Sequence, residues 1–173
     1  MEYLIKRGTL YQRRRDGTFS DALAKIQNTL DGQKKEIVAL TDLKEYAADV
    51  CGGQGVNGHR YELCGPDGRL VALGLPCYAA DEDPASHGWP VSHLPKADHA
   101  HLRLGPDAYE LRQLDQQHYR LYGPDGAPAL SIAHRGLPGG WDLVAATDFP
   151  PPLLCALLVF CLYLDRENEF LLV

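Results

Sequence analysis

The sequence contains no apolar run long enough to cross a membrane. Its longest uncharged apolar stretch, Leu153–Leu164, covers 12 of the 173 residues. As a helix this stretch would be about 18 Å long, whereas the hydrocarbon core of a bilayer is about 30 Å thick. The first eight residues also lack the apolar central region of a secretory signal peptide. We therefore expect a cytoplasmic protein that is not an integral membrane protein.

The sequence also lacks the cysteine pattern of a disulfide framework. Its five cysteines are odd in number, and no two of them form the C-x-x-C pair that is typical of redox and zinc motifs. Two of them lie in the apolar C-terminal run, where a thiol packs as a small hydrophobic side chain. We expect reduced thiols at Cys51, Cys64, Cys77, Cys155 and Cys161.

The sequence also lacks an overall excess of positive charge, because its formal net charge is −6. We therefore predict no nucleic-acid partner. Positive charge is nevertheless concentrated in residues 1–35, which contain eight Lys or Arg against four Asp or Glu. Such a cluster can bind phosphate groups or anionic lipid head groups, and the alternative interpretation is a solvated surface loop. The candidate ligand-binding residues are Lys6, Arg7, Arg13, Arg14 and Arg15.

No catalytic constellation can be identified in the sequence. None of the four serines lies in a G-x-S-x-G motif. Residues 53–58 fit the dinucleotide pattern G-x-G-x-x-G, but a strand pattern follows them where that motif requires a helix. We interpret them as a flexible turn, predict no cofactor and no catalytic residue, and expect a non-catalytic binding domain rather than an enzyme.

The histidines indicate one alternative function. His99 and His101 are two residues apart, so on a strand both rings would lie on the same face. Cys77, further histidines and several acids precede them in the sequence, and zinc uses such ligands. Because the C-x-x-C and H-x-x-x-H spacings of zinc motifs are missing, we predict no metal site. A metal-dependent hydrolase that uses the His-rich region 87–101 is the alternative.

The placement of turn residues predicts many short antiparallel strands. Gly65-Pro66-Asp67-Gly68 returns as Gly123-Pro124-Asp125-Gly126, and each copy predicts the turn of a β-hairpin. The composition of residues 38–50 fits either a helix or a strand, and residues 79–96 predict a long loop. The predicted strands are Tyr3–Lys6, Leu10–Arg14, Ala24–Thr29, Glu36–Leu40, Arg60–Cys64, Arg69–Leu75, His99–Leu104, Tyr109–Leu114, Tyr119–Tyr122, Ala129–Ala133 and Trp141–Ala145.

The apolar run that follows Pro150-Pro151-Pro152 predicts a helix that is apolar all the way round and is buried on every side. We expect residues 1–173 to form a single domain of mainly β structure, a closed antiparallel barrel wrapped around this C-terminal helix of about residues 151–165. The alternative is that the helix is a membrane-inserting anchor. The helix residues predicted to form the structural core are Leu153, Leu157, Phe160 and Leu164.

This layout resembles the tubby C-terminal-domain superfamily, which includes the LURP-one-related proteins and the phospholipid scramblases. The segment that carries the likeness runs from Trp141 to Pro150 and continues into the apolar run and Asp165. The resemblance implies a closed barrel around a hydrophobic helix. The scramblases' calcium-binding segment and palmitoylated cysteine run have no counterpart, and no residue can be matched to the tubby phosphoinositide site. The partners implied are an anionic phospholipid or phosphoinositide surface, or another protein.

Overall fold

The computed structural model describes residues 1–30, 32–79 and 96–168, which form twelve strands, a short 3₁₀ turn at Val56–Gly58 and one long helix. The predicted fold class, a closed antiparallel β-barrel with a hydrophobic C-terminal helix, is confirmed. The elements are β1 (Glu2–Lys6), β2 (Thr9–Gln12), β3 (Ala24–Asn28), β4 (Lys35–Ala39), β5 (Lys44–Gly52), β6 (His59–Cys64), β7 (Leu70–Tyr78), β8 (Ala97–Leu104), β9 (Asp107–Asp115), β10 (His118–Tyr122), β11 (Pro128–His134), β12 (Trp141–Ala145) and α1 (Pro151–Arg166).

The barrel is an antiparallel meander that closes on itself. Each strand pairs with its neighbours in sequence, and β1 pairs with β12 through residues 2–5 and 141–144. The shortest ladder joins β2 to β3 through only two residue pairs, those of Thr9 and Leu10. Backbone hydrogen bonds extend this contact on either side, from the Ile26 amide to the Gly8 carbonyl at 2.7 Å and from the Leu23 amide to the Leu10 carbonyl at 2.8 Å.

Both Gly-Pro-Asp-Gly segments form hairpin turns of the same conformation. The Gly68 amide donates to the Gly65 carbonyl at 2.9 Å, and the Gly126 amide donates to the Gly123 carbonyl at the same distance. In each turn the aspartate carboxylate accepts a hydrogen bond from the backbone amide two residues further on. Gly68 and Gly126 both have a φ of +76°, so the repeated sequence produces a repeated turn.

Residues 38–50, whose composition fits a helix or a strand, belong to the β4–β5 hairpin. Ala48 is fully buried and faces the barrel interior, and its neighbours Ala47 and Asp49 therefore point outward. Packing against the barrel interior has overridden the helix propensity of this alanine- and lysine-rich segment. Most of the predicted loop at residues 79–96 lies outside the described residues.

The apolar helix α1 lies inside the barrel. Eight strands enclose just enough space for their own side chains, so twelve leave room for a helix about 10–12 Å wide. Small residues on the inner wall help to make this room, and those in the core cluster include Ala24, Ala48, Ala72, Ala100 and Ala145. Phe160 is fully buried, and its ring lies 5.6 Å from the ring of Tyr61 on β6. Leu153, Leu157 and Leu164 are buried as well.

One helix residue departs from the prediction that every side of the helix is buried. Leu162 is 37% exposed, and it lines a cleft of about 360 Å³ at one mouth of the barrel together with Arg7 and Trp141. This cleft also reaches Gly8 and Ile26, next to the short β2–β3 ladder. The prediction that the helix is buried all the way round is therefore wrong at Leu162, whose side chain faces this cleft.

The C-terminal end of α1 is attached to the wall by a buried carboxylate. Glu167 is only 4% exposed, and its carboxylate accepts hydrogen bonds from Asn57 Nδ2 at 2.8 Å and from the Tyr61 hydroxyl at 3.0 Å. His59 Nδ1 lies 2.9 Å from the same carboxylate. These contacts fix the helix against β6 and the turn before it.

No helix in the described part of the chain is long and apolar enough to cross a membrane. All five cysteines are free thiols, and Cys155 and Cys161 are buried in the core that α1 forms with the wall.

Candidate binding surface

The outer surface of the β1–β2 hairpin carries basic and apolar side chains side by side. Leu4 points away from the core because Tyr3 and Ile5, on either side of it, belong to the inner cluster. Leu4 lies opposite Tyr11 in the ladder, and the ring of Phe19 packs edge-on against Tyr11 with 6.5 Å between centroids. We call this surface the basic face, and its residues are Leu4, Lys6, Arg7, Tyr11, Arg13, Arg14, Arg15, Phe19 and Arg135.

Arg7 lies at the tip of the β1–β2 turn in a conformation that an L-residue rarely adopts. Its φ is +52°, and that of Gly8 is +77°. The left-handed conformation costs a residue with a side chain about 1–2 kcal/mol. Gly8 cannot be replaced without a shift, since an added Cβ would lie 2.8 Å from the carbonyl oxygen of Ile26. Positive φ at both central residues is what this two-residue hairpin turn between Lys6 and Thr9 requires.

Arg14 and Arg15 lie in a second turn, beyond the other end of β2. The Arg14 amide donates to the Thr18 carbonyl at 2.8 Å, and the Gly17 amide donates to the Arg14 carbonyl at 3.0 Å. The Asp16 carboxylate accepts from the amide and the hydroxyl of Thr18 at 2.9 and 2.7 Å, and these hydrogen bonds lower its pKa. The Asp16 carboxylate, the acidic group of this turn, is thus hydrogen-bonded to Thr18.

The five predicted cations line two clefts rather than one. The first cleft has a volume of about 770 Å³ and is lined by Met1, Glu2, Gln12, Arg13, Arg14, Arg15 and Gly17. The second has a volume of about 610 Å³ and is lined by Leu4, Lys6, Arg7, Thr9, Tyr11, Phe19 and Arg135. The length of β2, about 13 Å for its four residues, separates the two groups of cations. The apolar side chains of the basic face line the second cleft, where Phe19 is 42% exposed and Leu4 is buried.

Among the described residues, two of the six cations of the basic face each form an ion pair. Arg13 Nη1 lies 3.3 Å from the Glu2 carboxylate, and Arg135 Nε lies 3.3 Å from that of Asp142. Within the described ranges, no carboxylate oxygen comes within 4.0 Å of the other four, Lys6, Arg7, Arg14 and Arg15. The hydrogen bonds from Thr18 lower the pKa of Asp16, and the charge of Arg14 lowers it further. The six cations outnumber the neighbouring carboxylates Glu2, Asp16 and Asp142, so the basic face presents net positive charge to solvent.

Sequence reasoning found the five cations of the basic face but missed the rest of it. The alternation of inward and outward residues in β1 could have indicated Leu4 as an outer residue. Phe19 follows the second turn and carried no comparable signal. Arg135 joins the face only because β12 pairs with β1, and this closure has no local sequence signature.

A second group of polar side chains lies on the outer surface of β7 and β8. Cys77 is directly opposite His99 in the ladder, and His101 follows two residues later on the same face. One ligand atom from each of these residues lies within 4.8 Å of the others. The two imidazole rings are 5.3 Å apart with an interplanar angle of 81°. His87 and His93, which also belong to the His-rich region of the alternative function, lie outside the described residues.

Two carboxylates lie next to this group. The Asp98 carboxylate is 2.5 Å from His99 Nδ1. Glu110 is opposite His101 in the β8–β9 ladder, and its carboxylate forms an ion pair with Arg112. The hydrogen bond from Arg112 lowers the pKa of Glu110, and the charges of Arg112 and of the two histidines lower it further. The patch therefore carries fixed negative charge beside the histidines.

The Cys77 thiol is half-buried beneath this patch. Burial raises its pKa, a hydrogen bond from the His101 backbone lowers it, and the charges of Glu110 and Asp98 raise it. The thiol donates to the Leu75 carbonyl over 3.4 Å.

Comparison with known proteins supplies no family for this fold. No protein family, no curated protein and no solved structure matches the chain. The function is therefore inferred from the surfaces described above.

Proposed function

We propose that this chain is a non-catalytic binding domain whose basic face binds anionic phospholipid head groups at a membrane surface. The observation that carries this proposal is a group of four cations, Lys6, Arg7, Arg14 and Arg15, that have no carboxylate within 4.0 Å in the described part of the chain, together with the exposed ring of Phe19. A lipid surface offers both of the partners that such a face needs. Its phosphate groups attract the cations, and apolar side chains can insert at the boundary between the head groups and the acyl chains.

Each cleft is also lined by one exposed apolar side chain, and these side chains favour a membrane over a purely anionic ligand. Phe19 is 42% exposed and Met1 is 46% exposed, so apolar groups project beside the arginines. Each Lys or Arg near an anionic membrane surface contributes about 1 kcal/mol to binding. Four such cations would contribute about 4 kcal/mol, which raises the affinity about a thousandfold. Binding of this strength is reversible and weakens as the salt concentration rises.

We propose as well that the chain is related to the tubby C-terminal-domain superfamily. The twelve-stranded closed barrel and the apolar C-terminal helix inside it support that relationship. The proposal includes a cytoplasmic location, because the anionic lipids of a cell's outer boundary lie mainly in the cytoplasmic leaflet.

Co-sedimentation with vesicles tests the proposed function. We expect the wild-type protein to sediment with phosphatidylcholine vesicles that contain phosphatidylserine, and not with vesicles of phosphatidylcholine alone. Raising the salt concentration should release it, because screening weakens the attraction between the cations and the lipid surface. Failure to sediment with anionic vesicles at low salt would exclude the lipid ligand and leave a protein partner.

Two double variants with the same change of net charge make the test specific to the basic face. Arg14→Ala with Arg15→Ala removes two of these cations, and we expect binding to fall about thirtyfold. The control variant is Arg69→Ala with Arg103→Ala. It removes one exposed arginine from the β6–β7 turn, Arg69, and one from β8, Arg103. This control should bind like the wild type. Equal losses in the two variants would show that net charge, and not the basic face, governs binding.

A further inference from the structure

We propose that Cys77, His99 and His101 form a binding site for a divalent transition-metal ion such as Zn²⁺. The three residues lie on one outer face of β7 and β8, and one ligand atom from each is within 4.8 Å of the others. This site is separate from the basic face, so the two proposals stand or fall independently.

The donor set suits zinc. A thiolate and two imidazole nitrogens are typical zinc ligands, with bonds of about 2.3 Å to sulfur and about 2.0–2.1 Å to nitrogen. In a tetrahedral site these bond lengths place the ligand atoms about 3.3–3.6 Å apart. The observed spacing of up to 4.8 Å thus differs by little more than 1 Å, which small side-chain rotations can close. Three protein ligands leave the fourth position to water, as in open zinc sites.

The backbone holds the three ligands in place before a metal binds. Cys77 and His99 are direct partners in a ladder of seven residue pairs, and His101 is diagonal to Cys77 across the same ladder. β8 also pairs along most of its length with β9. Ligands on paired strands are positioned more rigidly than ligands on loops, so little ordering is needed on binding.

A second layer of carboxylates orients and balances the site. The Asp98 carboxylate is 2.5 Å from Nδ1 of His99, which leaves Nε2 as the nitrogen available to a metal. Glu110, opposite His101, is held by its ion pair with Arg112, which lies opposite His99 in the same ladder. Metal-ligating histidines almost always donate their other ring nitrogen to a carboxylate, a carbonyl or water in this way.

Cobalt titration of the purified full chain tests the site directly, once any affinity tag has been removed. We expect one Co²⁺ to bind per chain, with the visible bands of tetrahedral cobalt and a thiolate-to-cobalt charge-transfer band in the near ultraviolet. Zn²⁺ should displace Co²⁺ and abolish these bands, and elemental analysis after dialysis should give one zinc per chain. Absence of stoichiometric binding would overturn the proposal.

Single substitutions identify the ligands. Cys77→Ser should abolish the charge-transfer band, and His101→Asn should abolish stoichiometric binding. The matched controls are Cys64→Ser, another half-buried thiol, and His118→Asn, an exposed histidine on β10. Both controls should bind cobalt like the wild type. Circular dichroism of every variant establishes that the barrel is folded, and a folded Cys77→Ser protein that keeps the charge-transfer band would refute the site.

Asp98→Asn tests the positioning role of the neighbouring carboxylate. The variant keeps all three ligands and should still show the charge-transfer band. We expect its metal affinity to fall about 10–100-fold, because the imidazole of His99 loses the group that orients it. An unchanged affinity would show that Asp98 has no positioning role.

Discussion

Replacement of Phe160 tests whether the central helix is the core of the barrel. Its side chain is fully buried, and its ring lies 5.6 Å from Tyr61 of the wall and 6.4 Å from Tyr163 of the same helix. Phe160→Ala removes the ring and leaves a cavity that the closed wall cannot fill, so we expect a loss of about 3–5 kcal/mol in the free energy of unfolding.

The expected shift in melting temperature follows from this loss and from the length of the chain. For a protein of 150–250 residues, each 1 kcal/mol shifts the melting temperature by about 2–4 °C, so Phe160→Ala should melt about 6–20 °C below the wild type. Phe160→Asp should be worse, because it would bury a carboxylate without a partner among apolar side chains. We expect the Asp variant to be unfolded or close to it.

The assay is thermal unfolding without lipid, followed by circular dichroism. Leu162→Asp is the matched control, since it places the same charge on the same helix at the 37% exposed position that faces the mouth cleft. This variant should fold and melt close to the wild type. If Phe160→Asp melts like the wild type and loses only membrane association, the helix is a lipid-inserting anchor and the reasoning is refuted.

Three further outcomes follow from the buried groups. Glu167→Ala should lower the free energy of unfolding in urea by about 1–3 kcal/mol, because the buried hydroxyl of Tyr61 loses its acceptor; unchanged stability would contradict this role. Burial raises the pKa of Cys155 to about 12 and also raises that of Tyr61, so the unfolded chain releases these protons at lower pH than the folded chain. The stability that these buried, protonated groups contribute is fully present below the pKa of an unfolded thiol, near 9.0, and is lost as the pH rises toward 12. The free energy of unfolding should therefore be smaller at about pH 10 than at about pH 8. Cys155 and Cys161 should react with a thiol reagent only after unfolding, and fast reaction of all five thiols in the native protein would contradict their burial.

Local sequence features predicted much of the fold because they set local geometry. The apolar run after Pro150 can only form a buried helix or enter a membrane, and its length favours burial. Each Gly-Pro-Asp-Gly segment sets its own turn locally, through the backbone angles of Pro and Gly and the hydrogen bond that the Asp carboxylate accepts. The helix propensity of residues 38–50 does not predict the strands that this segment forms. The stability of a strand comes mainly from the packing of its side chains on the rest of the sheet and core.

The candidate sites depended on strand register, which the sequence does not reveal. Cys77 meets His99 because β7 and β8 pair in one register, and a shift by one residue would turn the thiol into the barrel. Arg135 reaches the basic face through the closure of the barrel between its first and last strands. Each of these contacts joins residues that are distant in sequence.

The most direct test of the proposed function is to locate where the protein touches a membrane. Hydrogen–deuterium exchange, measured with and without phosphatidylserine-containing vesicles, reports the protection of each peptide segment. We expect vesicles to slow exchange in residues 1–19, which contain the hairpin, both turns and Phe19 of the basic face, and to leave α1 unchanged. Protection confined to other strands, or faster exchange in α1 as it leaves the barrel, would contradict the assignment of membrane binding to the basic face.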